Sequence, residues 1–188
     1  MIGEFPSSRT RIRVAKVNGG HDAELVLRSS DAFCFRVHWL GARSYMCPGE
    51  ECPACEQSIG SKWVGMIAVD VLLRSGAEPL FRLLELTESA YECLRFLRVA
   101  EGLADLVGLR VHVTRRFNKS PLHFELAELV EAGTEPRDVV PLRFVADAAA
   151  TLYGLPNLGP EETVEAWEPR AKLAAASLIG RVLSSRSE

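Results

Sequence analysis

Apolar and polar positions alternate most clearly over residues 33–39. Phe33, Phe35, Val37 and Trp39 are interleaved there with Cys34, Arg36 and His38. A period of two places the first set on one face of a strand and the second on the other. Upstream, residues 9–17 read as a short extended segment ended by Asn18-Gly19-Gly20, and Glu24 to Arg28 reads as a strand followed by the turn residues Ser29-Ser30-Asp31. Downstream, Trp63 to Leu73 is a β-rich run closed by Ser75-Gly76, with Leu80 to Leu86 as its antiparallel partner. Thr87 is placed to N-cap a helix over Glu88 to Val99, with Tyr91, Leu94, Phe96 and Leu97 as its apolar stripe. Strands over Leu109 to Arg116 and Leu122 to Leu126 flank the turn Asn118-Lys119-Ser120-Pro121. This string suits a mostly β fold, a five-stranded OB-like Greek-key barrel over residues 1–135.

Beyond Pro136 the period changes. Leu142, Phe144, Val145, Ala148, Ala149 and Leu152 keep helical spacing, and the run from Gly154 to Pro160 breaks it. A second stripe follows, Val164, Trp167, Ala171, Ala174, Leu178 and Val182, with an interruption expected near Pro169. Residues 136–188 are therefore expected to be a helical extension, making the whole chain α+β. It would pack on the barrel or serve a protein partner or a second copy.

The periodicity disappears between Gly41 and Gly60, and there the cysteines gather. The spacing is His38-x8-Cys47-x4-Cys52-x2-Cys55. Structural zinc takes four tetrahedral ligands, and thiolates with an imidazole are a favoured set. A Cys-x2-Cys pair offers two ligands from one tight turn, and Pro48, Gly49 and Pro53 favour such turns. A polar loop of this length, 41–60, needs something to order it, and a metal would do so. Zinc is thus the expected cofactor, held by His38, Cys47, Cys52 and Cys55. Cys34, on the same strand face as His38, is the alternative fourth ligand, and His112 and Cys93 are more remote ones.

Catalytic patterns are missing from the sequence. A zinc deaminase needs His-x-Glu, and Leu40 stands where the Glu would be. No phosphate-cradling glycine loop, Gly-x-Ser-x-Gly or His-Glu-x-x-His occurs. The expectation is a non-enzyme.

From these residues a resemblance follows. The order of one histidine, a cysteine and Cys52-Pro53-Ala54-Cys55, then the strand from Trp63 to Val69, resembles the single-stranded DNA-binding proteins of T-even bacteriophages. Leu80-Phe81-Arg82-Leu83, the helix from Glu88 and the hairpin between Gly108 and Glu125 occupy the places of that family's later elements, so the likeness spans about residues 33–126. It implies an OB fold with an inserted zinc subdomain and binding of single-stranded DNA in DNA replication or repair, with RNA the other ligand to weigh.

Charge complicates that expectation. The chain has 22 Lys and Arg against 25 Asp and Glu, a net charge of −3, which does not favour a polyanion. The charges are segregated, however: Arg9, Arg11, Arg13 and Lys16 form one basic run and Arg110, Arg115, Arg116 and Lys119 another, while acids gather at 50–51, 125–135 and 161–168. Binding without sequence preference needs cations along a groove and aromatic faces for bases. The candidates are Arg36, Arg43, Tyr45, Lys62, Trp63, Arg110, Arg115, Arg116, Phe117 and Lys119, whereas Trp39 is read as much for the core as for stacking. A protein-interaction module is the competing expectation. With no apolar run of transmembrane length and no signal-like start, the expected location is the cytoplasm.

Overall fold

The computed structural model describes residues 13–73, 78–118, 120–129 and 139–185. The chain forms two compact units. One gathers the chain up to Phe33 with Gly65–Val145, and the other Cys34–Val64 with the chain from Ala146.

The first unit is built on a sheet. Its strands are β1 (Val14–Ala15), β2 (His21–Leu27), β5 (Ser61–Leu72, from Gly65 in this unit), β6 (Leu80–Leu86), β7 (Leu109–Arg115) and β8 (His123–Leu129). They lie in the order β1-β6-β5-β2-β7-β8. β1 runs parallel to β6 and the other neighbours are antiparallel. Among the described residues this path has more than five strands and is open, so the unit is mixed α/β with a large sheet not closed into the five-stranded barrel of the sequence reading.

Each strand's pattern matches its place. In β7, Leu109, Val111 and Val113 are buried and the residues between them half-buried, a strand with one covered face. β5 sits centrally between β6 and β2 and is buried continuously from Gly65 to Asp70, both faces being covered. That run includes Asp70, whose carboxylate accepts a 2.5 Å hydrogen bond from Arg28. A charge in such a position needs its partner, because an unpaired buried carboxylate would cost several kcal/mol. The helix α2 (Glu88–Ala100) is capped as expected, Thr87 Oγ1 accepting from the Ala90 amide at 3.3 Å. Ala90 and Leu94 face inward, but Phe96, expected in the same stripe, is exposed with Val99. The β2 entry and the β7 exit are tied together at Gly19. Its amide donates to Asn118 Oδ1 at 2.7 Å, and a Cβ there would lie 2.3 Å from the Asn118 nitrogen, so only glycine fits.

The second unit contains the hairpin of β3 (Phe33–Leu40, from Cys34 in this unit) and β4 (Arg43–Met46). Leu40 pairs with Arg43, leaving a two-residue loop in which Gly41 has φ 71°, as tight hairpins require. Two helices complete it. α3 (Leu142–Tyr153) enters at Ala146, and α4 (Val164–Ser184) is one continuous helix through Pro169, where an interruption was expected. Thr163 caps α4 by accepting from the Ala166 amide at 3.2 Å.

α4 buries Trp167, Ala171, Ala175, Ile179 and Leu183, a strict i+4 row. This shifts the expected stripe by one position at Ala175, Ile179 and Leu183. The connector before α4 is clamped from within the helix. Trp167 Nε1 donates to the Pro156 carbonyl at 2.6 Å, and Arg170 binds the Asn157 carbonyl at 2.6 Å together with the Glu162 carboxylate. Arg170 first, then the Gly159 amide, hold Glu162 down at about 2. From Ala146 onward α3 and α4 cluster with the cysteine-bearing segment Cys34–Val64.

Candidate metal centre

The hairpin sets two of the four donors. His38 pairs with Tyr45 across the strands, so both project from one face together with Leu40 and Arg43, and Cys47 follows one step beyond the end of β4. The Cys47 amide donates to the Arg36 carbonyl at 2.7 Å, extending the ladder to the ligand itself. The other two donors come from one helical turn, α1 (Pro53–Glu56). Cys52 stands at its N-cap with Pro53 at the first helical position, which needs no amide hydrogen there. Cys55 follows on that turn. The turn is closed by amides of Glu56 on Cys52 O (3.0 Å), Ser58 on Cys55 O (2.9 Å) and Ile59 on Ala54 O (2.9 Å).

The result is a compact donor set: His38, Cys47, Cys52 and Cys55 place one ligand atom each within 4.8 Å of all the others. The edges of this figure carry chemical information. Zinc at about 2.3 Å from sulfur and about 2.0–2.1 Å from nitrogen, with tetrahedral angles, separates two sulfurs by about 3.8 Å and a sulfur and nitrogen by about 3.6 Å. Cys47 Sγ and Cys55 Sγ lie 3.8 Å apart, and His38 Nε2 lies 3.4 Å from Cys52 Sγ and 3.5 Å from Cys55 Sγ. The donors therefore fit a tetrahedral zinc ion in both type and spacing.

His38 is held in the tautomer that ligation needs. Its ring is fully buried, and Nδ1 lies 3.1 Å from the Gly60 carbonyl. A carbonyl can only accept, so Nδ1 carries the proton and the Nε2 lone pair faces the thiols. Protons on the sulfurs are the competitors of the metal. Desolvation first, then the crowding of Cys47 and Cys52, pushes the Cys55 thiol up to about 12, and desolvation also raises Cys47. A bound dication would reverse that preference and hold the sulfurs as thiolates.

α4 closes over this segment. Ile179 and Leu183 pack with Leu40, Tyr45, Cys52 and Ala54, and Cys47, Ile59, Leu178 and Val182 surround that cluster. The opposite face of the hairpin carries Phe35, whose ring meets Tyr153 of α3 edge-on at 5.0 Å. The alternative ligands lie elsewhere. Cys34 is exposed and outside the donor set, Cys93 Sγ is 3.9 Å from the Phe124 carbonyl, and His112 lies 3.7 Å from Asp22.

The ten nucleic-acid candidates separate sharply. Arg36, Arg43 and Lys62 are exposed, and Trp63 is half-buried. Tyr45, expected to offer its ring to a base, is buried at 7 % exposure with the Arg43 guanidinium 4.6 Å from its ring centre. Arg110 is committed to Glu24 at 2.5 Å, across paired strands. Arg115 holds the chain itself, donating to the carbonyls of Ser120 at 3.0 Å and Val17 at 3.2 Å. Arg116 is exposed and stacks 5.4 Å over Phe117, whose ring is 64 % exposed. Lys119, Arg9 and Arg11 lie outside the described residues. One aromatic that the alternating pattern sent as readily to the core, Trp39, is 64 % exposed. Its odd parity with Phe35 and Val37 gave the face, but nothing in the sequence told where on that face the cover ends.

No protein-family model matches the chain, and no curated protein matches its sequence.

Proposed function

We propose that the protein binds single-stranded nucleic acid, DNA in the first instance, with zinc as a structural and not a catalytic element. The observation that carries the reading is Trp39. A tryptophan that is 64 % exposed on a short hairpin loses apolar burial, and it is useful where a base can stack on it. Base stacking on an aromatic contributes about 1–3 kcal/mol per base. Exposed cations at Arg36, Arg43 and Lys62 belong to the same unit, with Arg36 and Arg43 on the strand face opposite Trp39, and in the other unit Arg116 stacks over the exposed Phe117. The zinc would stiffen the hairpin from its opposite face, so that the ring is presented without an ordering cost at binding. In this reading the strands of the first unit act as an OB-like sheet, and the likeness to T-even phage single-strand binders extends from the zinc motif to the ligand. Four ligands fill a tetrahedron, leaving no position for a substrate.

A second reading, docking of a protein partner, rests on α2, where Phe96 and Val99 are exposed at 71 % and 68 %. One titration separates the two. Fluorescently labelled single- and double-stranded oligonucleotides are titrated with the zinc-loaded protein at two salt concentrations. Single strands should bind more tightly, and about four neutralised phosphates would give a slope of roughly −3 in log affinity against log salt. Absence of single-strand binding at low salt would remove the nucleic-acid reading and leave the partner reading.

A further inference from the structure

We propose that the centre is a peroxide-sensitive clamp: a hydroperoxide joins Cys47 to Cys55, zinc leaves, and the last turns of α4 come free. This rests on the zinc centre alone and stands apart from nucleic-acid binding. The three thiols are not equivalent. Cys55 is exposed and Cys47 half-buried, with their sulfurs 3.8 Å apart, whereas Cys52 is 1 % exposed within the cluster beneath Ile179 and Leu183. An oxidant from solvent therefore meets Cys55 first, and the thiol within reach on the accessible side is Cys47.

The chemistry is a two-electron oxidation. The Cys55 thiolate attacks one peroxide oxygen, the O–O bond breaks and hydroxide leaves, giving a sulfenic acid. The Cys47 thiolate then attacks that sulfur. The S–S bond forms, the S–O bond breaks and a second hydroxide departs. Two protons from the medium convert both hydroxides to water. Two thiolates have been oxidised, the peroxide reduced, and zinc has lost two of four ligands. An S–S bond of about 2.05 Å cannot share the tetrahedral arrangement with the metal, so bond formation and retention of zinc exclude one another.

The consequence is mechanical. The platform for Leu178, Ile179, Val182 and Leu183 is Leu40, Cys47, Cys52, Ala54 and Ile59, so it is built on the ligands and the turn between them. A segment of this kind is ordered by its metal. Loss of zinc therefore withdraws the surface on which the end of α4 rests, while Trp167 and Arg170 keep the start of the helix clamped to its connector.

The test uses the full-length zinc-loaded protein, hydrogen peroxide and a chromogenic zinc chelator, with anaerobic peptide mapping and brief trypsin treatment. Release of one zinc per chain, a Cys47–Cys55 peptide as the main disulfide and at least about tenfold faster cleavage after Arg181 are expected. Dithiothreitol with added zinc should restore protection. Oxidation of exposed Cys34 with zinc retained would overturn the proposal, as would a disulfide made mainly through Cys52. Zinc release with Arg181 still protected would equally overturn it. A Cys34→Ser protein, altered outside the donor set, should release zinc as the parent does; failure to do so would contradict the assignment to Cys47 and Cys55.

Discussion

His38 shows how a single residue can be committed to a metal by its surroundings. A buried imidazole with one nitrogen on a carbonyl and the other among thiols has no apolar role to fall back on. His38→Ala should lower zinc affinity by more than about tenfold in a chelator competition, while Cys34→Ser leaves it unchanged. Loss of metal in the Cys34 variant would instead restore Cys34 as the fourth ligand. The two neighbouring arginines give a second contrast. Arg115→Glu should destabilise the fold, because it removes the bonds to the Val17 and Ser120 carbonyls and sets against those oxygens a carboxylate that cannot donate to them. Arg116→Glu should leave the melting temperature near that of the parent and weaken single-strand binding, with a shallower salt slope. The two effects interchanged would refute these roles. Sequence alone put both arginines in one basic run, since charge counts residues without showing which carbonyls they face.

At the scale of elements, period and caps were the readable features. Thr87 begins its helix as its residue type suggests, and β7 alternates as it should. The zinc motif was readable too, because ligand type and spacing are properties of a short stretch. The β4 strand was not: four residues, Arg43–Met46, are too few to establish a period, and they lie in a stretch that otherwise looks irregular. Phe96 misled for a different reason, since a helical stripe names a face without saying whether anything covers it. α4 offers a quantitative check. Ile179→Ala, in the fully buried row against the zinc turn, should cost about 2–5 kcal/mol in denaturant unfolding. Leu173→Ala should cost little, its side chain being 74 % exposed. Equal costs would show that α4 does not rest on this segment as described.

For the molecule as a whole, metal and fold are a linked equilibrium. Without a cation Cys55 is held protonated up to about 12, and Cys47 is raised as well. Zinc must displace those protons, so its affinity rises with pH and falls as the medium is acidified. The sign follows from the species bound: thiolate is the ligand and the thiol is the reservoir. Isothermal titrations in buffers of different ionisation enthalpy read the proton count directly, and a value near zero would contradict a thiolate site. The low net charge of −3 meanwhile confines any polyanion binding to local cations, and no helix among the described residues is long and apolar enough to cross a membrane.

The centre itself is open to one decisive measurement: elemental analysis of protein prepared without chelator, followed by X-ray absorption at the zinc edge. One zinc per chain with three sulfurs at about 2.3 Å and one nitrogen at about 2.0–2.1 Å is the expected result. Metal-free protein, or a shell of oxygen and nitrogen without sulfur, would contradict it.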